Sequence, residues 1–119
     1  MARKSLPKKA APEELVRARF VAFLKKQGCP SYAIRLEYST GRGRFDVGVC
    51  LPDGSLWLLA ECKASLKGLS PWLRAQTQLH RYQAELPPVR YFAIVASEGI
   101  WCWEAATGRL LPHFPVYPE

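Results

Sequence analysis

Three side chains in this sequence could do chemistry together: Asp46, Glu61 and Lys63. Glu61 and Lys63 lie in "SLWLLAECKA", residues 55–64, where five apolar residues (56–60) run into a carboxylate, a cysteine and an ammonium. Charges at the end of a buried strand are costly unless paired, solvated or bound to a metal. Alternation along a strand places Glu61 and Lys63 on one face. A hairpin-paired preceding strand can bring Asp46 beside them, because neighbouring strands lie about 4.8 Å apart. Two carboxylates that close repel unless a cation sits between them. Oxygen ligands with open positions for water suit a hard divalent ion, Mg²⁺ or Mn²⁺. Such an ion polarises a phosphodiester and lowers the pKa of a bound water, and a nearby lysine orients that water or neutralises developing charge. These are the parts of phosphodiester hydrolysis. The plainer alternative is a Glu61–Lys63 or Asp46–Lys63 salt bridge at a sheet edge.

The elements that would position these residues can be read in order. Pro12 opens a helix with Glu13 and Glu14 in its first turn, Lys25 and Lys26 in its last, and Gly28 as the stop. Val16, Phe20, Phe23, Leu24 and Gln27 follow its inner face. Strands are expected over residues 32–39, 45–50 and the apolar run before Glu61, with turns at "TGRGR" and "LPDGS". In the second of these, Phe45, Val47 and Val49 should share one face, with Asp46, Gly48 and Cys50 on the other. Ser70 and Pro71 begin a second helix whose stripe, Trp72, Ala75, Leu79, Tyr82 and Leu86, ends at Pro87 and Pro88. Residues 90–97 form a buried strand, and "GIWCWEA" a shorter one. The tail "LLPHFPVYPE", with three prolines, is expected to lie irregularly on the surface. The fold class is α/β (α+β): helix, three-stranded meander, helix, then one or two strands.

Composition limits the function. The 119 residues suit one domain, 49% hydrophobic and 23% charged, and 17 basic against 10 acidic residues give +7. That surplus favours a polyanionic partner, nucleic acid before an anionic membrane. Residues 1–11 carry Arg3, Lys4, Lys8 and Lys9 without an acid and read as a flexible basic arm. They lack the apolar stretch of a secretory signal, and no apolar run approaches the roughly 20 residues of a membrane span. Cys29, Cys50, Cys62 and Cys102 include no CxxC, and His80 and His113 form no ligand cluster, so a cytoplasmic, zinc-free protein with reduced thiols is expected.

"PEELVR", "RFDVGV", "LLAECKA" and "QLHRYQ" stand in the order found in the PD-(D/E)xK nuclease superfamily. The chain resembles the N-terminal nuclease domain of type I restriction enzyme R subunits and its small stand-alone relatives, from about Pro12 to Trp103. The resemblance implies a restriction-endonuclease-like core over residues 12–104, a mixed central sheet flanked by helices, followed by a Pro-rich tail over 105–119. It implies that Asp46 and Glu61 hold a metal, Mg²⁺ with Mn²⁺ able to substitute, and that Lys63 is the catalytic lysine. Glu14 matches the first-helix acid that completes the metal shell. Glu13 is its competitor, since one residue's rotation about the helix decides which points inward, and Glu14 as a plain helix-dipole partner is the alternative. Gln78 matches a second-helix glutamine that contacts DNA or organises the site, with Tyr82 one turn on. The sequence departs from the family in lacking a proline before Asp46 and in reading "ASEG" where relatives carry an Asn-Gly turn. It also holds no GxxxxGK[ST] loop for ATP-driven translocation.

The expected activity is a divalent-metal-dependent DNA endonuclease of low sequence specificity. Arg42, Arg44, Arg74, Arg81, Lys8 and Lys9 would contact phosphates. Cutting both strands would call for two sites, hence a homodimer or a partner subunit. The alternative is a catalytically silent DNA-binding or assembly subunit that retains the fold. An RNA-directed nuclease is a third reading, although no RNA-reading signature is present.

Overall fold

The structure, a computed structural model, describes residues 12–40, 43–66 and 88–118. Helix α1 spans Pro12–Lys26, with its acids in the first turn and its lysines in the last. Val16, Phe20 and Leu24 are its buried stripe. Gly28, at φ 103°, stops it in a Schellman arrangement. The Cys29 N–H donates to the Leu24 carbonyl at 3.0 Å and the Gly28 N–H to that of Lys25 at 3.1 Å. Gln27, expected on the inner face, is exposed. It occupies the cap, where the chain has already left helical geometry.

After a 3-10 turn at Ser31–Ala33 come β1 (Ile34–Ser39), β2 (Arg44–Cys50), β3 (Leu56–Cys62), β4 (Tyr91–Ala96) and β5 (Gly99–Glu104). They form one sheet in the order β1-β2-β3-β4-β5. All neighbours are antiparallel except β3 and β4, which run parallel. The meander closes on the "LPDGS" turn, where the Asp53 carboxylate accepts the Ser55 N–H at 2.9 Å and Gly54 takes φ 89°. A parallel pair cannot be joined by a hairpin and needs a crossover. That connection runs through residues 67–87, so the second helix expected there, with Gln78 and Tyr82, lies outside the described residues.

The middle of the sheet, β2 to β4, is buried on both faces, whereas β1 at its edge is largely exposed. Val16, Phe20 and Leu24 pack with Val47, Val49, Leu58, Ala60 and Val95 on the α1 side. Phe45, Leu59, Phe92, Ile94 and Trp103 form a second cluster. Phe45 was expected to share a face with Val47 and Val49, and it does not. The change of face lies opposite a distortion in β1, where Glu37 adopts a left-handed φ of 51°. Pairing passes from Leu36↔Val47 to Tyr38↔Phe45 across that residue, and the alternation of both strands breaks there. Beyond the break Tyr38 lies over Gly48, where a Cβ would sit 2.9 Å from the ring.

The C-terminal segment is irregular, as expected, but it does not simply lie on the surface. Tyr117 is 7% exposed, and its hydroxyl donates to the Cys50 carbonyl at 2.7 Å. Its ring meets Trp57 edge-on at 5.2 Å, and Phe114 meets Phe23 at 5.1 Å. Prolines remove N–H groups that would otherwise need partners, so an aromatic-bearing chain tied to the sheet by an isolated bridge, Leu110 to Trp103, can close the corner between α1 and the sheet.

Candidate functional site

The sheet opens where the three chemically interesting residues meet. The β2–β3 ladder runs from Cys50↔Leu56 to Val47↔Ala60, and the next residues along are Asp46 and Glu61. From there each strand stays with its outer neighbour. β2 continues against β1 to Ser39↔Arg44, and β3 continues against β4 to Cys62↔Val95. The Lys63 N–H then donates to the Val95 carbonyl at 2.8 Å. The Cys62 N–H, which faces the opening, is taken by Asp46 Oδ2 at 2.7 Å. A carboxylate thus replaces a backbone carbonyl at the mouth of a forked ladder and is held there by a charge-assisted bond.

Glu61 is half-buried one residue before that amide. It stands in register with Ile94 of the second cluster, so its face is the one opposite α1, and Cys62 takes the α1 face. The Glu61 carboxyl is pushed up to about 7, first by burial, then by the charge of Asp46 and more weakly by that of Glu13, with Lys63 opposing. The Cys62 thiol is pushed up to about 12 by burial and then by Asp46 and Glu61. A thiol held protonated is a poor ligand and a poor nucleophile. Among the described residues neither Glu61 nor Asp46 forms an ion pair with Lys63.

Of the two first-turn acids, Glu13 is the one whose charge reaches both Glu61 and Cys62. It precedes Val16 and Arg17 by one turn on the inner stripe, and Glu14 stands one position further round. Among the described residues no three His, Cys, Asp or Glu side chains converge into a metal-enclosing group. The remaining pair still fits a divalent ion of the magnesium type. Such an ion keeps several waters and is commonly bound through one or two carboxylates, and it would offset both the burial that chiefly lifts Glu61 and the Asp46 repulsion that adds to it.

Two further glutamates frame the site, and neither was singled out from the sequence. Glu98, in the β4–β5 turn, accepts the Leu66 N–H at 2.9 Å and the hydroxyls of Ser65 and Ser97. These bonds hold its carboxyl low, at about 2. Glu98 thereby fixes the chain just after Lys63. Glu37 receives Arg17 at 3.4 Å and Arg44 at 3.1 Å, one on each carboxylate oxygen. No local motif announces either role. Glu98 sits in an ordinary turn, and a left-handed glutamate inside a strand has no sequence signature.

The structure therefore brings Asp46, Glu61 and Lys63 to one place, with Glu13 within electrostatic reach at the end of α1 and Arg44 two residues before Asp46; Glu14 lies one position further round the helix. Gln78, Arg42, Arg74, Arg81, Lys8 and Lys9 lie outside the described residues. Among the described residues no helix is long and apolar enough to cross a membrane. Cys29, Cys50, Cys62 and Cys102 are buried and unbridged. Compared with known proteins, the chain matches no family model, no curated sequence and no solved structure.

Proposed function

We propose that the protein is a divalent-metal-dependent DNA endonuclease with a restriction-endonuclease-like core of the PD-(D/E)xK kind, similar to the nuclease domain of type I restriction enzyme R subunits. The observation that carries this reading is the forked ladder. Asp46 is held on the Cys62 amide at 2.7 Å, and its charge helps push the adjacent Glu61 carboxyl to about 7 beside Lys63. A structural salt bridge would have paired Lys63 with one of the acids, and neither pairing occurs among the described residues.

Asp46 and Glu61 would hold Mg²⁺, or Mn²⁺ in its place, with a first-turn acid of α1, Glu13 or Glu14, completing the shell through water. When bound, the ion supplies Lewis-acid polarisation of the phosphodiester and an acidified water. The chain's own residues do the rest. Asp46 keeps one oxygen on the Cys62 amide and leaves the other for the site. Lys63, its backbone fixed to Val95, places an ammonium where negative charge gathers on phosphorus and where the attacking water must be oriented. Glu98 holds the strand end that carries Lys63.

Gln78 and the basic residues Arg42, Arg44, Arg74, Arg81, Lys8 and Lys9 are proposed to engage DNA through its backbone, with little sequence preference. Cutting both strands would call for two such sites, in a homodimer or with a partner subunit. Four buried thiols without a disulfide suit a reducing, cytoplasmic setting.

The test is cleavage of supercoiled, linear and single-stranded DNA with Mg²⁺, Mn²⁺ or EDTA, alongside Asp46→Ala. Metal-dependent cutting that the mutant loses is the expected result. A mutant that cuts as well as wild type would show that the site is misassigned. Tight, salt-sensitive binding with no cutting of any form would instead point to a silent DNA-binding or assembly subunit. Competition with RNA separates the remaining reading.

A further inference from the structure

Glu37 is the one non-glycine residue described with a positive φ, and it sits inside a strand, where a left-handed glutamate is strained. In β1 it stands level with Asp46, between the pairs Leu36↔Val47 and Tyr38↔Phe45. The distortion gives its carboxylate two partners from different elements: Arg17 of α1 and Arg44 of β2. Both arginines are neighbours of the site in sequence and in space. Arg17 lies one helical turn after Glu13, and its charge is felt at the Cys62 thiol. Arg44 lies two residues before Asp46.

We propose that Arg17 and Arg44 form a phosphate-binding pair at the mouth of the fork, gathered by Glu37, which occupies their place until a nucleic-acid backbone phosphate takes it. The inference rests on the reading of the chain as a DNA endonuclease and adds two residues, Arg17 and Glu37, that the sequence did not single out. The charge balance supports it. Asp46, Glu61 and Glu13 set negative charge where a polyanion must approach, so fixed cations beside them are needed to offset the repulsion. Two guanidiniums on one carboxylate leave a net positive charge. Each also keeps N–H donors beyond the one bonded to Glu37, since a guanidinium carries five. Arg44 is 69% exposed and Glu37 56%, whereas Arg17 is 24% exposed. Arg44 and Glu37 can therefore move apart in water, and Arg17 is a fixed post. An exposed ion pair of this kind contributes little to stability, so exchanging Glu37 for a phosphate sacrifices little.

The experiment is binding of short duplex DNA in EDTA over a salt series, with melting temperature followed for each variant. Arg17→Gln and Arg44→Gln are each expected to weaken binding and to lower the slope of log K against log salt by about 0.9. Glu37→Gln is expected to tighten binding, and to lose that gain when both arginines are glutamine. Arg17→Lys with Arg44→Lys keeps the charge and should keep the slope. Glutamine variants that bind with the wild-type slope would overturn the pair, even if the protein still cuts DNA. A slope lost equally in the lysine variants would overturn it too, by placing the effect in the fold rather than the charge. Wild-type protein that binds no duplex at low salt would overturn the endonuclease reading and this inference with it.

Discussion

The Leu66 backbone N–H donates to Glu98 Oε1 at 2.9 Å, which ties the turn after β4 to the chain just beyond Lys63. The bond joins residues far apart in sequence. The hydroxyl of Ser65, and after it this Leu66 bond, hold the carboxyl of a glutamate in a surface turn down at about 2.

Glu98→Ala should release that strand end. Amide exchange at Leu66 is expected to accelerate while the Cys62 amide, held by Asp46, keeps its protection. Cleavage should fall with it. The pH dependence has a defined sign. A carboxyl lowered from 4.5 to about 2 gives its support in full above pH 4.5 and loses it as pH falls towards 2. Exchange at Leu66 in wild type should follow that course.

Glu61 has the opposite sign. Its carboxyl titrates at about 7 in the fold and at 4.5 otherwise. Between those values the folded protein binds more protons than the unfolded chain, so without divalent ions its stability falls as pH rises from 4.5 to about 7. The loss is about 2 kcal/mol once the water reaching the side chain is allowed for. Glu61→Gln should flatten this slope in thermal melts made in EDTA. Mg²⁺ should raise the melting temperature more above pH 7 than below pH 4.5, because it needs the ionised pair.

Gly48→Ala tests the distortion at Glu37 from the other side. A Cβ there would lie 2.9 Å from Cγ of Tyr38, a clash expected to cost about 1–3 kcal/mol in chemical denaturation. Combining it with Tyr38→Ala should restore part of the loss, so that the two changes are not additive.

Tyr117→Phe removes the hydroxyl bonded to the Cys50 carbonyl and should cost about 1 kcal/mol. Tyr117→Ala also empties the space against Trp57, and about 3–5 kcal/mol is expected. A segment lying loosely on the surface would give near zero for both.

Much of this architecture was legible because local chemistry and tertiary demand agree. Pro12, the paired acids, the paired lysines and Gly28 bound α1, and the apolar runs mark β3 and β4. Asp46 and Glu61 could be placed together because a short hairpin leaves few registers that bury Val47, Val49, Leu58 and Ala60 at once. Other features depend on forces the sequence hides. Phe45 changes face opposite Glu37, whose left-handed φ a glutamate has no preference for. The tail reads as surface from its prolines, yet Phe114 and Tyr117 fill a corner created only when α1 docks. Glu13 and Glu14 differ by one step of helical rotation, which depends on packing at Val16 and Phe20 rather than on the acids themselves.

The parallel pairing of β3 with β4 has a consequence for how the molecule assembles in time. The meander that sets Asp46 on the Cys62 amide closes over short loops, whereas Leu59↔Phe92 and its neighbours join segments separated by the whole connection through residues 67–87. Closing a longer loop costs more entropy before any contact rewards it. The two carboxylates thus come together early and locally, while Lys63 acquires its backbone anchor only when β4 slots in beside β3. A chain caught between those events would hold the acids without the lysine's support, so refolding followed at the Cys62 amide should run ahead of refolding followed at Lys63.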